Sequence, residues 1–169
     1  MDEDLRFKFQ ALHEIVNAAR GKLSRNIWDY LRGGTETETT LKRNRMALDS
    51  VAFRPRVLRD MRNVDARSNI FGHPMRLPVC LAPIGSLESF DPQGGVAAMN
   101  AANEFGCALM LSSVSTIPME DVAKAAPGFK IAMRYKRGDD EFLDSYVSRA
   151  IDSGYDAFWL TVASAKCSR

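Results

Sequence analysis

Four apolar runs decide the architecture: Val79-Cys80-Leu81-Ala82, Cys107-Ala108-Leu109-Met110-Leu111, Lys130-Ile131-Ala132-Met133 and Ala157-Phe158-Trp159-Leu160-Thr161-Val162. Each is short, rich in apolar residues and bounded by Gly, Pro or polar residues, the pattern of a strand buried in a parallel sheet. They start at 79, 107, 130 and 157, at intervals of 28, 23 and 27 residues. Helical segments fill the gaps. Asp91-Pro92 opens one near 92–105, with proline in the first turn. Thr116 or a neighbour opens a second, which ends before Pro127-Gly128. A third, about 139–153, carries Phe142, Leu143, Tyr146, Val147, Ala150 and Ile151 on one face and closes at Gly154. Strand, helix and strand at this pitch form right-handed parallel βα units, so the fold class is α/β.

Parallel sheets place functional residues at the carboxyl ends of their strands. Those ends read Pro83-Ile84-Gly85, Ser112-Ser113, Met133-Arg134-Tyr135 and Thr161-Val162-Ala163. The rim is small, hydroxyl-bearing and aromatic, which suits an oxygen-rich planar cofactor better than an apolar ligand. Four strands do not close a barrel, which takes eight in about 250 residues. A flavodoxin-like or dinucleotide-binding sheet has the right size, yet no strand is followed by Gly-x-Gly-x-x-Gly and no phosphate loop is present. The chain stops just after the fourth run, at Lys166-Cys167-Ser168-Arg169, which reads as a cut.

Residues 1–75 differ in character. Leu5, Phe9, Leu12, Val16 and Ala19 have helical spacing, which predicts an amphipathic helix near 3–19. A second helix is expected over 24–32, stopped by Gly33-Gly34. Thr35 and Glu38 have capping-box spacing and predict a third helix through Leu48. Residues 51–58 alternate loosely around Pro55, favouring an edge strand, and Gly72-His73-Pro74 marks a turn. The division expected is a helical extension with a short hairpin over 1–75 and the βα units over 76–169.

Composition narrows the class further. The 169 residues are 46% hydrophobic and 26% charged, as in ordinary globular proteins. No run of 18 apolar residues exists, so no transmembrane helix is expected. The acidic start Met1-Asp2-Glu3-Asp4 is unlike a signal peptide. Cys80, Cys107 and Cys167 are odd in number and widely spaced, which makes neither a disulfide framework nor a zinc site. Cys80 and Cys107 read as buried thiols, and a reducing, cytoplasmic setting is expected. A net charge of +2 argues against nucleic acid as a partner. Seven basic residues lie between Lys42 and Arg62 against Asp49 and Asp60, with Phe53 the single aromatic among them, and read as a solvated face with structural ion pairs. Gly94-Gly95 reads as close packing, because Asp91 beside it disfavours an anion.

The stretches Asp29-Tyr30-Leu31-Arg32-Gly33-Gly34-Thr35, Thr40-Leu41-x-x-Asn44, Phe53-Arg54-Pro55-Arg56-Val57-Leu58, Pro78-Val79-Cys80-Leu81-Ala82-Pro83, Leu111-Ser112-Ser113, Glu120-Asp121-Val122-Ala123 and Leu160-Thr161-Val162 occur in one order. In that order the chain resembles the FMN-dependent α-hydroxy acid dehydrogenases and oxidases, the glycolate, lactate and mandelate enzymes. The resemblance implies a TIM barrel with FMN at its carboxyl rim, of which this chain is the amino-terminal half. It implies oxidation of a small (S)-2-hydroxy acid to a 2-keto acid, and a homo-oligomer, tetrameric in the family. It implies that Tyr30 binds the substrate carboxylate and that Tyr135 is the second active-site tyrosine, near the substrate oxygen. Pro83, Ile84 and Gly85 match the backbone under the flavin ring, and Ser112 and Thr161 match hydroxyls that bond the flavin.

Three positions depart from the family pattern. Met133 stands where the family has a Gln that bonds the flavin's pyrimidine edge; if that edge is buried, the loss is about 1–3 kcal/mol. Ala163 stands where the family has the Asp that orients the catalytic His, worth up to about four orders of magnitude in rate by analogy with other Asp–His pairs. Val114 replaces a Trp common in oxidases. The family's base His, its substrate-binding Arg residues and the Lys near the flavin come mostly from later strands. His13 and His73 are the only histidines, on the first helix and in a turn, and both read as surface residues. No turnover is therefore expected from this chain alone. The rival is a non-catalytic half-barrel that binds a flavin, a partner or its own twin. A weaker third reading is another FMN barrel, such as a type 2 isopentenyl diphosphate isomerase, against which Tyr30 and the motif order argue.

Overall fold

The computed structural model describes residues 8–136 and 138–162. They divide into two compact units that part between Val64 and Asp65.

The first unit is helical. Helix α1 spans Leu12–Lys22, and the Glu14 carboxylate accepts the N–H groups of Gln10 and Ala11 at its start. Of the helix expected near 3–19, residues 3–7 lie outside the described residues. Helix α2 spans Arg25–Arg32, with the Ser24 hydroxyl capping the Ile27 N–H. Helix α3 spans Thr39–Asp49. The expected capping box does not form. Thr35–Glu38 is a turn closed by Glu38 N–H to the Thr35 carbonyl, and the Glu38 carboxylate instead accepts the Gly34 N–H. The edge strand expected over 51–58 is absent: that stretch is extended or bent, exposed throughout, and pairs with no strand among the described residues. Alternation without a pairing edge makes no strand. Arg45–Asp49 and Arg62–Asp60 are exposed ion pairs within the basic stretch.

The second unit holds two sheets. Strands β1 (Ser68–Ile70) and β2 (His73–Met75) form an antiparallel hairpin. Its two turn residues, Phe71 and Gly72, both have positive φ, the backbone that a two-residue hairpin of this twist requires. Strands β3 (Cys80–Leu81), β4 (Ala108–Ser112), β5 (Lys130–Tyr135) and β6 (Ala157–Thr161) form a parallel sheet in the order β3-β4-β5-β6. Helices α4 (Gly94–Phe105), α5 (Met119–Ala125) and α6 (Asp140–Asp152) connect them. All four strands and all three helices fall within a few residues of the runs read from sequence. Helix α4 starts two residues after Pro92, because the Asp91 carboxylate accepts the Gln93 N–H and holds 91–93 as a turn. The fold is thus α/β with a parallel sheet.

The core lies between the sheet and its helices. Met99 and Ala102 of α4, Val122 of α5, and Leu109 and Ala132 of the strands are buried. Gly94 and Gly95 are packing glycines, as expected. A Cβ at Gly95 would stand 3.0 Å from both Leu111 and Val122, and one at Gly94, whose φ is +41°, would stand 2.9 Å from Glu88. Cys107 is buried, but Cys80 is only half-buried, since it opens the short edge strand β3. None of the described helices is long and apolar enough to cross a membrane.

Leu109 is 1% exposed at the centre of this core. Leu109→Ala should lower the unfolding free energy by about 2–5 kcal/mol, read by urea denaturation.

Candidate functional site

The strand register sorts the rim residues onto faces. In a parallel pair, matched residues point to the same side and neighbours along a strand to opposite sides. Leu111 pairs with Ala132, and a Cβ added at Gly95 of α4 would touch Leu111. Arg134 lies against the Phe142 and Tyr146 rings of α6, and Phe158 packs edge-on against Tyr146. These residues mark the helix-covered face. Ser112, Met133 and Trp159 are matched across β4, β5 and β6, and Tyr135 is matched with Thr161. They occupy the other face, in two successive rows at the carboxyl ends of the strands.

The structure therefore brings Ser112, Met133, Tyr135 and Thr161 onto one face. Ser112 and Met133 are buried, while Tyr135 and Thr161 are half-buried. Pro83, Ile84 and Gly85 follow β3 at the same rim. A Cβ at Gly85 would meet Val114 at 3.5 Å and the Ser112 Oγ at 4.0 Å, so this loop lies beside Ser112. Tyr30 lies on α2, 71% exposed, and is described within the first unit alone. Ala163 lies outside the described residues.

Hydrogen bonds tie the rim loops together. Ser86 N–H donates to the Val114 carbonyl at 2.8 Å, and Ser113 N–H to the Met133 carbonyl at 2.8 Å. The Tyr146 hydroxyl also donates to the Met133 carbonyl, at 3.3 Å. Ser112 Oγ accepts the Val114 N–H at 3.2 Å, which leaves its own hydroxyl hydrogen for another acceptor. Burial holds the Tyr146 phenol above the usual range, so it stays a neutral donor at ordinary pH.

Two contributors escaped the sequence reading. Trp159 shares the row of Ser112 and Met133 and is half exposed, which places a flat indole on the same face. Only the register reveals it, since Trp159 reads as one apolar residue among five. Glu88 joins two rim loops: its Oε1 accepts the Ser115 hydroxyl at 2.7 Å and the Ile117 N–H at 3.4 Å, each more than 25 residues away. Burial works to raise its pKa, but the bonds from Ser115 and from the backbone of Thr116 and Ile117 outweigh it and hold the carboxyl below its usual range. His73 lies away from the rim. His13 is exposed on α1, and His73 stacks on Phe129 at 4.3 Å with its Nε2 3.5 Å from Asp156. Burial, then the neighbouring Cys80, pushes the Cys107 thiol up, away from nucleophilic use. Among the described residues no three His, Cys, Asp or Glu side chains group as metal ligands.

The sequence profile of the FMN-dependent dehydrogenases matches residues 19–167. The chain belongs to that family. It is 35% identical over 156 residues to glycolate oxidase 3 of Oryza sativa subsp. indica, covering 92% of this chain and 42% of the relative. Glycolate oxidase of Spinacia oleracea is 33% identical over 158 residues, covering 94% and 43%. The crystal structure of mandelate oxidase superposes with a TM-score of 0.86 at 34% identity, over 91% of this chain and 45% of that one. A mandelate oxidase variant solved with a monooxide FMN adduct superposes with a TM-score of 0.81 at 33% identity, over 88% and 47%. The chain thus spans less than half the length of these relatives.

A carboxyl held low by native hydrogen bonds stabilises the fold above its unfolded pKa and loses that effect as pH falls through its folded one. Glu88→Gln should therefore flatten the acid limb of a stability–pH curve near and below about pH 4. Glu88→Ala should cost about 1–3 kcal/mol at neutral pH, because it strips partners from the part-buried Ser115 hydroxyl and Ile117 N–H. Urea titrations at stepped pH read both.

Proposed function

We propose that this chain is the amino-terminal part of an FMN-dependent enzyme that oxidises an (S)-2-hydroxy acid to a 2-keto acid. On this reading the four βα units are the first half of a TIM barrel. The strand order supports it: β3-β4-β5-β6 is sequential, without the reversal that defines dinucleotide-binding and flavodoxin-like sheets. The observation that carries the reading is the two rows of Ser112, Met133, Tyr135 and Thr161 at the carboxyl ends, on the face opposite helices α4–α6, in a chain of this family.

The donor set fits a flavin. Ser112 offers a hydroxyl hydrogen whose own oxygen is already pinned by Val114. Thr161 offers a second hydroxyl, and Pro83, Ile84 and Gly85 offer backbone with a side-chain-free position beside Ser112. Met133 gives only packing, since its thioether has no hydrogen to donate. FMN, when bound, supplies the two-electron acceptor. Tyr135 holds the substrate oxygen through its phenol, and Tyr30 takes the substrate carboxylate. Withdrawing a proton from the substrate needs a base with a pKa near neutrality. The described rim has none, so the base belongs to a part of the enzyme beyond these residues. The second reading, a flavin-binding half-barrel without chemistry, is favoured by Met133 and Ala163, two departures from the family pattern that weaken chemistry.

FMN titration followed by flavin fluorescence tests the cofactor site. Ser112→Ala and Thr161→Val should each weaken binding about 2- to 15-fold, the worth of one neutral hydrogen bond. Unchanged affinity in both variants overturns the assignment. Anaerobic mixing with glycolate, (S)-lactate or (S)-mandelate should leave the flavin of the 169-residue chain oxidised and bleach that of a polypeptide extended to the relatives' length. An extended polypeptide that binds FMN and is never bleached establishes the half-barrel module instead.

A further inference from the structure

Arg134 is 8% exposed, yet it forms neither an ion pair nor a hydrogen bond among the described residues, and its Nε is buried with no partner. Its guanidinium sits between two rings, 4.4 Å from the Phe142 centroid and 4.5 Å from that of Tyr146. Ring faces offset part of the cost of burying a cation, but they satisfy none of its N–H groups. A buried charge is normally paired, because an unpaired one forfeits its hydration for nothing. Two carboxylates of the flanking helices are committed elsewhere. Glu120 binds Arg149 through two hydrogen bonds, at 2.8 and 3.1 Å, and Asp139 caps α6 on the Phe142 N–H.

Arg134 also lines a cavity of about 190 Å³, together with Phe142, Ser145 and Tyr146 of α6. Ser113, Thr116 and Ser145 line it with hydroxyls, and Arg149 adds a second cation, already neutralised by Glu120. A lone unpaired cation, a set of hydroxyl donors and space for a few heavy atoms together make an oxyanion receptor.

We propose that this cavity binds a small oxyanion, with Arg134 as its counter-charge and Ser145 as a hydroxyl donor at its mouth. Alternation along β5 sends Arg134 to the face opposite Met133 and Tyr135, and Ser112, at the end of β4, borders the cavity as well. The site does not depend on the flavin reading. A phosphate and a carboxylate share the chemistry that Arg134 recognises, and the two sources are separable by experiment.

Thermal unfolding of the purified protein is followed while inorganic phosphate, or separately lactate, replaces chloride at constant ionic strength. The expected result is a saturable rise in Tm with one or both anions. Phosphate alone names a tetrahedral anion, and lactate alone names a carboxylate. Arg134→Met should abolish the rise, and Ser145→Ala should weaken the apparent affinity at least threefold. The exposed Ser145 variant keeps the test decisive if Arg134→Met fails to fold. A Tm indifferent to both anions overturns the proposal, as does a response that survives intact in the variants.

Discussion

Everything at the rim rests on the register of three strands. Pairing of Ser112 with Met133, of Met133 with Trp159 and of Tyr135 with Thr161 fixes which side chains share a face. A slip of one residue in β5 would send Met133 and Tyr135 into the helix layer and bring Arg134 out among the hydroxyls. The helix layer guards against that slip. Arg134 is held by Phe142 and Tyr146, and the Tyr146 hydroxyl reaches the Met133 carbonyl. The aromatic residues of α6 therefore set the chemistry of a face that they do not line.

The loops inherit this order through few contacts. Ser86 to Val114 and Ser113 to Met133 run from each loop to its neighbour, and Glu88 spans from the β3–α4 connection to the β4–α5 connection. Gly94 belongs to the same arrangement. Its positive φ and missing Cβ make room for the Glu88 side chain, so the turn into α4 and the clamp between loops are one feature. The rim behaves as a sheet edge extended by backbone bonds and the Glu88 clamp rather than as separate loops.

Much of this is legible in sequence because it is local. The apolar runs at 107–111, 130–133 and 157–162 announced their strands, and Asp139 and Ser24 announced their helix starts. The misreadings arise where a local pattern has two outcomes. Thr35 and Glu38 have the spacing of a capping box, but Glu38 turns back to Gly34. Residues 51–58 alternate like a strand and find no edge to pair with. Trp159, Glu88 and Arg134 were passed over because their significance lies in partners more than 20 residues away or on another element. The chemistry of Ser112, Tyr135 and Thr161 came from family likeness. Strand geometry gives their placement in adjacent rows and nothing of their roles.

The sequential order of the sheet also bears on how the chain comes to be folded. Each strand pairs with the one that precedes it, across a single intervening helix. Closing each pair within this sheet therefore brings together segments roughly 25 residues apart. A polypeptide emerging from the ribosome at its usual pace can dock β4 on β3, then β5 on β4, then β6 on β5, burying one helix at a time. The growing edge is always the newest strand. The architecture is thus assembled in the order in which it is synthesised.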